Sequence, residues 1–149
     1  MGIAAALNAL VEIQESISIV LPSGEPERVK KAYKTVPAES DMLPTTPCVI
    51  NIWSADPLIE SSGLVEIFYD VRMQLFIRNA KQDVGADIAN LFWDAFVAKF
   101  VTLDGKTLMG NISHSTLSGG SPTLVGWERA GGPYVGLDMH LNLSTKQFF

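Results

Sequence analysis

From Val65 the chain alternates between apolar and polar side chains. Val65, Ile67, Tyr69, Val71, Met73, Leu75 and Ile77 fall on one face, and Glu66, Phe68, Asp70, Arg72, Gln74, Phe76 and Arg78 on the other. A period of two predicts a strand over 64–78 with one buried face. It is longer than an ordinary strand, so it is expected to bend or to project beyond its sheet. The period then changes. Asp83 is suited to cap a helix, and Val84, Ile88, Leu91, Phe92, Ala95 and Phe96 recur at helical spacing. Trp93 and Phe100 widen the stripe, predicting an aromatic-rich helix over 83–100 that packs on a sheet. Near the N-terminus Ile3, Leu7, Leu10, Val11, Ile17 and Val20 predict a helix over 3–20, ended by Pro22-Ser23-Gly24-Glu25-Pro26.

Between these elements the pattern is shorter. Residues 28–36 read as an edge-like strand whose lysines discourage edge-to-edge pairing. Residues 37–47 contain Pro37, Pro44 and Pro47 and read as an irregular connection. Residues 47–53 read as a short buried strand, followed by a turn at Ser54-Ala55-Asp56-Pro57. After the second helix, turn chemistry at Asp104-Gly105, Gly119-Gly120-Ser121-Pro122 and Ala130-Gly131-Gly132-Pro133 divides the chain into segments 106–117, 123–129 and 134–144. These predict an antiparallel meander over 106–144. In its last member Val135, Leu137, Met139, Leu141 and Leu143 oppose Tyr134, Gly136, Asp138, His140, Asn142 and Ser144. The expectation is a single α+β domain over 1–149, a mostly antiparallel sheet with two helices on one face.

Composition narrows the functional classes. The chain has 149 residues, 47% hydrophobic and 18% charged, as in a folded domain with a real core. Its net charge of −5 argues against a domain built to grip duplex DNA. Four of its eleven basic residues, Arg28, Lys30, Lys31 and Lys34, lie in one short segment. That segment is either a solvated edge or a docking surface. The one cysteine, Cys48, lies in an apolar run and reads as a core residue, and it allows no intrachain disulfide. No apolar run reaches membrane-spanning length, and no secretory leader is expected.

Catalytic patterns do not emerge. His114 and His140 stand on separate strand-like segments without metal-ligand spacing, and the glycines at 119–120 and 131–132 follow turn logic. There is no phosphate-binding glycine loop, no nucleophile elbow and no pair of carboxylates placed for acid–base work. The reading is therefore a non-enzymatic protein with no cofactor and no catalytic or metal residues. Its candidate subunit or partner contacts are the basic segment (Arg28, Lys30, Lys31, Lys34), Phe68 and Phe76 on the mixed face of the long strand, and Phe148 and Phe149 at the end.

The order of elements resembles that of the tail terminator, or tail completion, proteins of long-tailed bacteriophages. The resemblance spans about residues 3 to 144. It is carried by Tyr69-Asp70-Val71-Arg72-Met73-Gln74-Leu75-Phe76-Ile77, by residues 83–100, and by the segment from Pro133 to Ser144. It implies a homo-oligomeric ring, commonly a hexamer, that caps the tail tube and joins it to the head connector. It further implies a virion protein made in the host cytoplasm, with no enzymatic activity, no cofactor and no membrane partner. Genome DNA would pass through the lumen without specific binding, and an acidic lining suits that passage. Two other readings stay open: another head–tail connector or neck protein, and a small ligand-binding α+β domain with a pocket between helix 83–100 and the sheet.

Overall fold

A computed structural model describes residues 3–35, 45–59, 63–79, 85–102, 105, 107–110, 112, 114–125 and 134–148. Among these residues the chain forms α1 (Ile3–Glu15), β1 (Ser18–Val20), β2 (Pro26–Arg28), β3 (Lys31–Tyr33), β4 (Cys48–Ile59), β5 (Leu64–Asn79), α2 (Gly85–Phe100), β6 (His114–Val125) and β7 (Tyr134–Phe148). β1 and β2 make a small antiparallel hairpin. The other strands form a five-stranded sheet in the order β3-β4-β5-β7-β6, antiparallel except where β3 runs parallel to β4. The fold is α+β, as the pattern predicts.

The main core lies between the helices and one face of the sheet. Leu7, Leu10 and Ile13 of α1 and Ile88, Phe92 and Phe96 of α2 belong to one buried cluster with Val71, Met73, Leu75, Leu137, Met139 and Leu141. The inward set of β5 and β7 is thus the set that the alternation assigns to the core. Phe96 and Phe100 stack with ring centroids 6.3 Å apart. The space between α2 and the sheet, where a ligand-binding domain was expected to keep a pocket, is filled by these aromatic and aliphatic side chains.

Several boundaries differ from expectation. The first helix stops at Glu15, not at residue 20. Ile17 and Ile19 stay buried, but in an extended segment whose backbone bonds to the next strand, as in Val29 N–H donating to Ile17 O at 3.0 Å. Three alternating residues at the end of a helical stripe satisfy either period, and the partner strand decides. The predicted turn at residues 54–57 is strand. β4 continues through Pro57 to Ile59, in register with Val65–Asp70 of β5. Pro57 is tolerated because, among the described residues, β3 pairs with β4 only over Cys48–Ile50, which leaves the rest of β4 at the sheet margin. The predicted three-segment meander is two long strands. Gly119 to Pro122 is a register shift inside β6 and not a turn, with Gly119 at φ +83°. Gly105 sits in a helical turn, not in a hairpin. The predicted cap Asp83, residues 36–44 and the turn at 130–133 lie outside the described residues.

Strand and helix lengths set the shape of the sheet. β5 has 16 residues and α2 also has 16, so the strand extends about 50 Å. The helix extends only about 24 Å. A helix cannot cover a strand twice its length. The ends of β4, β5 and β7 nearest the Ile59–Leu64 connection pair as a three-stranded blade, from Leu64↔Phe148 to Phe68↔Ser144 and from Ile59↔Val65 to Asp56↔Phe68, with Ile67 still packed against the main core. Along the helix-facing side of β4, Asn51 is buried, whereas Trp53, two residues further on, is 40% exposed.

Candidate assembly surfaces

The face of the sheet turned away from the helices has two parts. Near one end Cys48, Ile50, Phe76 and Tyr134 form a second, small buried cluster, with Tyr33 packed against it. Phe76 meets Tyr134 edge-on, with centroids 5.7 Å apart. Phe76 is 0% exposed, so it is an internal packing residue and not a subunit contact. Its place on the polar side of the alternation suggested exposure, but that side carries its own core at this end of the sheet. Burial pushes the Cys48 thiol up to about 12, as befits an inert core cysteine.

Beyond this cluster the outer face is open. Ile52 is 43% exposed and Phe68 44% exposed. Between them, across β5 and β7, lie four charged or titratable side chains. Arg72 stands opposite His140 in the register, yet each bonds diagonally. Arg72 donates from Nε and Nη2 to the two carboxylate oxygens of Asp138, at 3.0 and 2.6 Å. His140 Nδ1 lies 3.2 Å from Asp70 Oδ1. Diagonal neighbours are within reach of long side chains on an antiparallel pair. The hydrogen bonds from Arg72 hold the Asp138 carboxyl below the usual carboxylate range, against a smaller opposing effect of burial. Both pairs are partly exposed, so they align the strands more than they stabilise the fold. Among the described residues no cluster of metal-ligating side chains occurs.

A shallow groove of about 190 Å³ crosses this face, lined by Ser54, Phe68, Asp70 and Asn142 with the intervening backbone. A larger cleft of about 350 Å³ lies on the other side, at the C-terminal ends of both helices, between Glu12, Ser16, Lys99, Thr102, Gly105 and Met109. Sequence reasoning missed this cleft, because its walls come from three segments that only the tertiary fold brings together.

The remaining candidates are distributed around the molecule. Arg28, Lys30, Lys31 and Lys34 are all exposed along β2, β3 and the residue beyond. They form one basic edge, at the opposite end of the strand order from β6. Phe148 ends β7, its backbone paired with Leu64, and Phe149 lies outside the described residues. Among the described residues no helix is long and apolar enough to cross a membrane. Compared with known proteins, the chain matches no family model, no curated protein and no solved structure.

Proposed function

We propose that this protein is a structural assembly subunit, specifically a bacteriophage tail terminator. In this reading it forms a homo-oligomeric ring, of six subunits by the resemblance, that caps the tail tube and meets the head connector. The observation that carries the assembly reading is the blade. The blade carries exposed Phe68, and the adjoining part of β4 exposes Ile52 on the same face and Trp53 on the other, a surface that an isolated subunit leaves poorly covered. Apolar groups at that position gain free energy when a neighbour removes them from water. The order of elements supports the narrower reading of a tail terminator. In a ring the surplus of acidic residues would line a lumen through which DNA slides, since like charges do not bind.

The test is the solution mass of the purified protein by light scattering, followed by negative-stain imaging. A closed ring with a central hole that caps purified tail tubes is the expected result. A ring that ignores tail tubes would sink the terminator reading and keep the assembly reading. A monomer both alone and in the presence of tubes would sink both.

A further inference from the structure

Two exposed surfaces of opposite charge lie on different elements of the subunit. The first is the basic edge. From Arg28 to Lys34 there are four basic residues and no acidic one. Between them Ala32 is buried and donates its backbone N–H to Glu15 Oε1 at 3.2 Å, which fixes β3 against the end of α1. That anchoring leaves Lys30, Lys31 and Lys34 facing solvent, with Lys31 Nζ 5.9 Å from the centre of the Tyr33 ring. Like charges held this close repel one another, and an opposing anionic surface relieves the repulsion.

The second surface is the outer stripe of α2. Asp87, Asn90, Asp94 and Ala98 are exposed and recur at helical spacing, while Phe92 and Phe96 face the core. From Gly85 to Ala98 the helix has no basic residue. Asp87 and Asp94 are seven residues apart, about 10.5 Å along the helix axis. Lys31 and Lys34 are at most about 10 Å apart along their backbone.

We propose that subunits join head to tail, with the basic edge (Arg28, Lys30, Lys31, Lys34) of one copy seated on the Asp87–Asp94 stripe of the next. A ring requires a heterologous contact, made by two different surfaces of the same chain, and these two are complementary in charge. The inference rests on the ring reading above and names the contact that would build it.

The experiment uses two full-length variants. One carries Lys30→Glu, Lys31→Glu and Lys34→Glu, and the other carries Asp87→Lys and Asp94→Lys. All five positions are exposed, and circular dichroism checks that each variant is folded. Sedimentation velocity then measures self-association of the unaltered protein, of each variant, and of their equimolar mixture. Each variant alone should associate at least about tenfold more weakly than the unaltered protein. The mixture should recover, because each reversed surface then finds a complementary one. Raising salt from about 0.05 M to about 0.5 M should weaken the unaltered contact and the mixed contact alike. A native-like oligomer from either variant, or a mixture that fails to recover, overturns the contact. Rings that persist in both variants overturn the contact and leave the ring reading standing. Salt-sensitive open chains that both variants abolish establish the contact and overturn the closed ring. A protein monomeric under every condition overturns both.

Discussion

Gln14 and Asn51 exchange a reciprocal pair of side-chain hydrogen bonds, each 2.8 Å, across 37 residues of chain. Both are buried, one on α1 and the other on β4. The second amide hydrogen of Asn51 goes to the backbone carbonyl of Tyr33 at 3.0 Å, and Gln14 also reaches Met73 Sδ at 3.1 Å. One polar node thus ties α1, β3, β4 and β5 together and sets the position of the helix on the sheet. A purely apolar contact would let the helix slide, whereas amides satisfied at one geometry do not.

Replacing Gln14→Leu strands the Asn51 amide in the core and should cost about 2–3 kcal/mol in urea unfolding. Gln14→Leu combined with Asn51→Leu should cost less than the sum of the two single changes, by at least about 0.5 kcal/mol. Strict additivity would show that the two side chains do not act as a unit.

Phe76 and Phe68 lie on the same face of β5 and should respond in opposite ways. Phe76→Asp puts a carboxylate into a sealed cluster and should destabilise the subunit by more than about 4 kcal/mol, or prevent folding. Phe68→Asp acts at an exposed position and should change subunit stability by no more than about 0.5 kcal/mol. It should nonetheless reduce association measured by light scattering. A folded Phe76→Asp subunit of native stability would contradict the burial.

Gly105 is confined by backbone. A Cβ at this position would overlap the carbonyl oxygen of Lys99 and lie 2.8 Å from the Cα of Phe100. Neither atom can move without disturbing the end of α2, so Gly105→Ala should cost at least about 1–3 kcal/mol. Gly110 is the comparison: open space surrounds it, but φ is +84°. Gly110→Ala should cost about 1 kcal/mol through conformation alone. Equal thermal shifts for the two variants would refute the steric account.

The Arg72–Asp138 pair gives a small acid dependence. The folded-state value of Asp138 is depressed below its ordinary 3.8, chiefly by the hydrogen bonds from Arg72. Its contribution is therefore present above pH 3.8 and is lost as pH falls through the depressed folded value. Because Arg72 is nearly half exposed, solvent screening keeps the contribution below about 1 kcal/mol. Asp138→Asn should lower stability slightly at pH 6, and the gap should narrow as pH falls below 3.8. A gap that widens on acidification would reverse the assigned sign.

The sequence by itself determined the elements whose periodicity is long. The alternation over 65–77, interrupted only by Phe68 and Phe76 on the polar face, reads as a strand, and the aromatic stripe of α2 reads as a helix on a core. It also assigned the inward faces of β5 and β7 correctly and marked the basic edge. Short or ambiguous segments were decided only by partners. Ile17 to Val20 became strand because β2 lies beside it, and residues 54–57 became strand because β5 supplies a ladder that overrides the turn signal of Asp56-Pro57. Gly119 to Pro122 remained in β6 because β7 continues past it. The burial of Phe76, the Gln14–Asn51 node and the cleft at the helix ends join residues far apart in the chain. Local pattern records how often an apolar side chain recurs along one segment. It carries no term for which distant surface covers that segment, and such covering decides which exposed-looking residues become core and which strands stand uncovered.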